Sequence, residues 1–146
     1  MKNETIIRAG EIIRQNTAHN QPQGSDLYCT LALIDADGYP TTSTITASKS
    51  EGIDWITFCT GIESNKAKRI RNCSRASVCF NAAGAYNINL VGTVDIITDA
   101  DIKQEMWYDG LKNHFKAPDD PNYCVLRFRT HRYSLLVDWK EAEGIL

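Results

Sequence analysis

The stretch from Trp55 to Phe80 constrains this chain more than any other. It reads as an apolar strand (Trp55 to Thr60), a short turn (Gly61 to Glu63), a basic helix opened by Ser64-Asn65-Lys66, and a second strand (Ala76 to Phe80). Ser64 is placed to cap the helix, which leaves free backbone N–H groups beside Lys66 at the end of a strand. Such a helix start attracts an anion. Thr60, Ser64, Lys66 and Arg69 together form the outline of a phosphate seat, against the plainer alternative of a solvated basic helix.

The rest of the chain must build a scaffold around that unit. Asn3 to about Asn16 reads as a helix, with Asn3 as cap and Ile6, Ile7, Ile12 and Ile13 at helical spacing. A loop over His19 to Ser25 leads into a strand, Leu27 to Ile34, and the turn Asp35-Ala36-Asp37-Gly38. Tyr39 to Lys49 is then the second arm of a hairpin. Hydroxyls occupy both faces of this arm, as in an exposed edge strand or in a strand lining a polar groove.

Tyr86 to Ile97 reads as a long strand, and Gly92 inside it marks a bulge or a close backbone approach. Thr98 or Asp99 caps a helix that carries Ile102, Met106, Trp107, Leu111 and Phe115 toward the core and stops before the loop Lys116 to Asn122. Tyr123 to Arg129 and Tyr133 to Trp139 complete the sheet as a strand pair. Hairpin-length connections dominate, so the fold class is mostly β with flanking helices (α+β), a largely antiparallel sheet able to close into a barrel.

Composition enters as a set of exclusions. The 146 residues suit a single domain, 1–146, and a formal charge of −2 supplies no global attraction to nucleic acid or to an anionic membrane. No apolar run is long enough to span a bilayer and the first residues lack a secretion signal, so a cytoplasmic location is expected. The five cysteines (Cys29, Cys59, Cys73, Cys79, Cys124) contain no CxxC pair, which fits reduced thiols better than disulfides or zinc. Cys59 is either a thiol activated by the cationic helix start or a packed strand residue. His19, His114 and His131 are scattered, and no metal site or nucleophile stands out.

Phe58-Cys59-Thr60, the Ser64-Asn65-Lys66 that follows three residues later, and Ala76-Ser77-Val78-Cys79-Phe80 resemble the FMN-binding split-barrel family of pyridoxamine 5′-phosphate oxidases, in particular its short general-stress-protein branch. Met106-Trp107 through Phe115 and Asp119-Asp120-Pro121-Asn122-Tyr123 are similar to that branch's tryptophan-bearing helix and Asp-Pro loop, so the resemblance extends over roughly residues 5 to 140. It implies a six-stranded antiparallel split β-barrel and a homodimer with FMN at the interface. By position it assigns Thr44, Ile45, Thr46, Ala47 and Lys49 to the strand beside the flavin, and Phe58, Cys59 and Thr60 to the strand end after it. Ser64, Asn65 and Lys66 match the phosphate contacts, Asn87 a side chain near the ring, and Trp139 a contact from the partner chain.

Two departures qualify the resemblance. Thr44 and Asn65 stand where the oxidases carry cations, which implies a weaker phosphate grip or compensation by Lys49, Arg69 and Arg71. The oxidases' C-terminal arginine-histidine substrate motif has no counterpart after Trp139, which argues against oxidation of pyridoxamine phosphate. The resemblance therefore implies an FMN-dependent oxidoreductase acting on an unassigned small molecule. The alternatives are a binding protein for flavin, haem or deazaflavin without turnover, and a nucleic-acid-binding domain, which the net charge disfavours.

Overall fold

The computed structural model describes residues 2–21 and 27–146 of the chain. Part of the expected loop before the first strand, residues 22–26, lies outside the described residues. Helix α1 (Lys2–Gln15) starts one residue before the expected cap, so Asn3 lies inside it. Eight strands follow: β1 (Cys29–Ile34), β2 (Pro40–Ile45), β3 (Ala47–Glu51), β4 (Trp55–Gly61), β5 (Arg75–Ala82), β6 (Tyr86–Ile97), β7 (Tyr123–Val137) and β8 (Lys140–Ile145). Helices α2 (Asn65–Asn72) and α3 (Ala100–Met106) interrupt them.

All eight strands form one antiparallel sheet, ordered β2-β1-β5-β6-β7-β4-β3 with β8 beside β7. The two ends of that order, β2 and β3, are separated in sequence only by Thr46, so the sheet must curl until its edges meet. Residue pairing locates the break: Ile45 lies opposite Cys29 on β1, while Ala47 lies opposite Phe58 on β4. Past Thr46 the two edges diverge, and α2 packs on β1, β4 and β6 at that end. This is a split barrel. Phe58, Ile56, Leu31, Val78, Phe80, Ile88, Leu90, Leu126 and Phe128 fill its interior, and α1 packs against β3, β7 and β8.

The resemblance implies six strands and the chain reads as seven; two gains and one merger give the observed eight. The expected single arm Tyr39 to Lys49 changes pairing partner at Thr46 and so counts twice. Lys140–Ile145, expected as a tail, pairs with β7 through a turn at Asp138 and Trp139, whose φ values of 52° and 64° are those of a tight hairpin. The expected pair Tyr123 to Arg129 and Tyr133 to Trp139 is instead one strand, because the irregularity at His131 is a bulge and not a turn.

Gly92 makes the expected close approach. A Cβ there would stand 1.8 Å from the carbonyl oxygen of Arg129. The expected long helix through Phe115 is broken: α3 ends at Met106, Trp107 is extended (ψ 142°), and Asp109–Asn113 is a separate 3-10 turn. The apolar spacing nonetheless serves one purpose, since Met106, Leu111, Tyr123 and Val125 form a second cluster with Trp55, Trp107, Tyr108 and Phe115 on the outside of the barrel.

Candidate functional site

The strand-turn-helix forms as its sequence demands. Ser64 has extended backbone (φ −67°, ψ 160°), and its Oγ accepts the Ala67 N–H at 3.2 Å. Thr60 Oγ1 donates to the same oxygen at 3.2 Å, which ties the end of β4 to the cap. The Lys68 N–H already reaches the Ser64 carbonyl at 3.0 Å, so the N–H groups of Asn65 and Lys66 are the two left without an intrahelical acceptor. Lys66 is half-buried, and its ammonium takes no hydrogen bond or ion pair among the described residues.

The turn itself is braced from outside. The Ile62 N–H donates to the Asn122 carbonyl at 2.7 Å, and the Arg71 guanidinium donates back to the Ile62 carbonyl. Neither brace was foreseen from the sequence. Arg71 sits two helical turns beyond the residue it holds, and Asn122 acts through its backbone, which carries no residue-type signal.

The other expected site residues divide into groups. Thr44 is exposed on the outer face of β2, in a row with Thr30, Cys79 and Asn89 across the sheet. Thr46 Oγ1 donates to the Leu27 carbonyl at 3.3 Å, and Ile45 packs against the core. Ala47 and Phe58 are buried in the barrel and can offer a ligand only backbone groups. Lys49 Nζ lies 3.6 Å from the Glu105 carboxylate on α3. With Arg71 spent on the turn, Lys49 and Arg71 are both engaged elsewhere than at the helix start, while Arg69 lines an open cleft of about 570 Å³ with Asp35 and Asp37.

Cys59 does not share the surface of Thr60. Its Sγ lies 3.6 Å from both the Met106 carbonyl and the Tyr123 hydroxyl, inside the second cluster, and burial pushes the thiol up to about 11. At neutral pH it stays protonated, so the activated-thiol alternative gives way to packing.

Asn87 and Trp139 come together at the far end of the sheet. Both line a small cleft of about 130 Å³ beside Tyr86 and Leu136, with Trp139 81% exposed. A tryptophan at positive φ stands in an uncommon conformation, here imposed by the two-residue turn. The Val94 N–H donates to the Ser74 carbonyl just after α2, and Asn87 lies seven residues back along β6. At ~3.3 Å per residue Asn87 stands about 20 Å along the strand from Val94, the point where β6 meets the C-terminal end of α2.

Among the described residues no three His, Cys, Asp or Glu side chains converge as metal ligands. His19 contacts the Met106 carbonyl at 3.1 Å, His131 contacts Thr93 Oγ1 at 3.2 Å, and the His114 ring abuts Phe115.

The family model described as pyridoxamine 5′-phosphate oxidase matches residues 20–136. The chain is similar over 100% of its length to a protein from Clostridium acetobutylicum related to general stress protein 26 of B. subtilis (pyridoxinephosphate oxidase family), with a TM-score of 0.81, 18% identity and 97% of that chain covered. It is also similar to a pyridoxamine 5′-phosphate oxidase-related, FMN binding protein from Nostoc punctiforme (TM-score 0.60, 15% identity, 99% and 94% covered). A heme binding protein from Mycobacterium smegmatis matches with a TM-score of 0.67 at 14% identity, 97% of this chain and 57% of that one being covered. At these identities the likeness establishes the fold. No curated protein matches significantly by sequence.

Proposed function

The chain belongs to the pyridoxamine 5′-phosphate oxidase family, and from that premise we propose that it is an FMN-binding flavoprotein working as an oxidoreductase on a small molecule. The observation that carries the reading is the start of α2: two unsatisfied backbone donors and the unpaired ammonium of Lys66, joined to the end of β4 by the Thr60–Ser64 hydrogen bond. A phosphate monoester requires that combination of converging donors and a cation. The residues present fit the phosphate end of FMN with one cation where the resemblance implies two, because Asn65 is neutral.

When bound, the flavin supplies the electron or hydride transfer. The chain's own part is to hold and orient it. Lys66 and the α2 amides fix the phosphate, exposed Thr44 offers a hydroxyl along the strand, and the Asn87 amide is a hydrogen-bonding group for a polar ring edge. Trp139 gives a flat apolar surface beside Asn87.

The reading includes a homodimer. Asn87 and Trp139 lie at the end of β6 remote from its contact with Ser74 after α2, and a two-fold related copy would bring its own Asn87 and Trp139 toward the first copy's α2. Sedimentation at micromolar concentration tests this, and a monomer there argues against a shared site.

A visible spectrum of the purified protein, followed by mass identification of any released cofactor, tests the main reading. A flavin spectrum, or one restored by added FMN, supports it, and colourless protein that FMN does not reconstitute sinks it. The match to a heme binding protein keeps a second reading in view, in which a Soret band replaces the flavin bands. Reduction by NADH or NADPH and reoxidation by an acceptor separate an enzyme from a cofactor carrier.

A further inference from the structure

A cavity of about 660 Å³ opens on the outer face of the sheet, where β1, β5, β6 and β7 run side by side. Its floor is mostly apolar, built from Ala32, Ile34 and Val91 with Ser77 between Ala32 and Val91, and its rim carries Arg75, His131 and Arg132 with no acidic side chain among the described lining residues. The bulge creates this rim. Val91 lies opposite Arg132 and Gly92 opposite Thr130, so His131 is the extra residue of β7. Two consecutive side chains, His131 and Arg132, are thereby exposed on the cavity side, where regular alternation would send one inward. Gly92 is the condition for this arrangement, since its missing Cβ would lie 1.8 Å from the Arg129 oxygen and 3.2 Å from the His131 ring.

The rim groups are largely uncommitted. Arg132 takes no hydrogen bond or ion pair among the described residues, the His131 ring holds only Thr93 Oγ1 at 3.2 Å, and Arg75 lies beside the Cys73 thiol, whose pKa it lowers. The acid next along β6, Asp95, stands 3.9 Å from Arg129. A cationic rim over an apolar floor is complementary to a flat molecule with an anionic end, the guanidinium meeting the carboxylate and the ring covering the aliphatic residues.

We propose that this cavity is a binding site for a small planar carboxylate. The Arg132 guanidinium takes the carboxylate, His131 donates a second hydrogen bond, and Val91 and Ala32 support the ring. The row Ala32-Ser77-Val91-Arg132 lies next to the row Thr30-Cys79-Asn89 that continues from Thr44, so a ligand here sits beside the strand face proposed to border the flavin. The cavity needs no flavin to exist, and the proposal stands if the flavin reading fails.

Titration of the full chain with naphthoate and with its uncharged amide, followed by fluorescence, is the test. Naphthoate is expected to bind about tenfold more tightly than the amide, the margin expected from one charge-assisted contact. Arg132→Gln removes that margin and leaves amide binding unchanged, while Val91→Phe, which fills the floor, weakens both ligands. Equal affinities for acid and amide, no binding at millimolar concentration, or a margin that survives Arg132→Gln overturns the proposal. FMN titration of the same Arg132→Gln protein keeps the two readings apart, because FMN affinity is expected to be unaffected.

Discussion

Helices α2 and α3 start from the same local grammar and use it in opposite ways. Both are capped by a side chain that accepts backbone N–H groups. Ser64 takes one, from Ala67, and Asp99 takes two, from Asp101 and Ile102 at 3.0 and 3.1 Å. A neutral hydroxyl leaves the positive end of α2 open, whereas the Asp99 carboxylate already answers that of α3. Their lysines diverge as well. Lys66 is half-buried and unpaired, but Lys103 is 7% exposed, its Nζ 2.9 Å from the Asp120 carbonyl and 5.2 Å from the centre of the Tyr123 ring. One helix reserves its donors and the other spends them on the fold, so a basic helix is a binding feature only where its charge has no internal partner.

Substitutions can break this contrast, and the largest effect belongs to the committed lysine. Lys103→Ala removes a charged hydrogen bond, the cation–π contact and buried methylenes, and is expected to cost roughly 2–4 kcal/mol in urea unfolding while FMN affinity holds. A parallel loss of FMN binding would erase the distinction between the helices. Lys66→Ala inverts the pattern, weakening FMN by about 1.5–3 kcal/mol in a fluorescence titration and changing stability by less than about 0.5 kcal/mol.

The caps come next. Ser64→Ala and Asp99→Ala each lose a cap, about 1 kcal/mol of stability by thermal or urea unfolding, but only Ser64→Ala is expected to weaken FMN as well. Equal effects of the two on FMN would mean that α2 is not the seat. The smallest effect is one of pH. Backbone N–H groups of Lys116 and Asn122 bind the Asp120 carboxylate at 2.9 Å and hold its pKa below the ordinary range. Its stabilisation is therefore present above the unfolded value of about 3.9 and lost as pH falls through the lower folded value. The stability gap between the wild type and Asp120→Asn should narrow below about pH 4, and a gap that stays constant contradicts this role.

The same contrast explains how much was legible from the chain alone. Ser64, Lys66 and the strands around α2 could be read because caps, turns and short-period patterns are local, and Gly92 could be read because only glycine tolerates the carbonyl of Arg129. The divergence at Thr46 could not, since its cause is non-local: Ile45 and Ala47 simply have different partners. The break of α3 after Met106 was hidden because Ile102, Met106, Leu111 and Phe115 keep an apolar rhythm across it. Strand β8 is a polar segment (Lys140-Glu141-Ala142-Glu143) whose pairing depends on β7 and on the turn at Asp138 and Trp139.

Side-chain commitments were the least legible part of the site. Composition shows that Lys49, Arg71 and Lys103 are cations, but not that Glu105, the Ile62 carbonyl and the Asp120 carbonyl already engage them. Cys59 shows the same limit, because neighbouring strand residues face opposite sides and only Thr60 turns toward the cap.

The central claim is that the start of α2 holds the phosphate of a flavin, and comparing FMN with riboflavin tests it most directly, because the two ligands differ only by that phosphate. Titration of the wild-type protein and Lys66→Ala with both is predicted to show FMN binding far more tightly than riboflavin in the wild type. That preference should fall by about tenfold or more in the variant, with riboflavin affinity unchanged. An FMN preference that Lys66→Ala leaves intact would contradict the account.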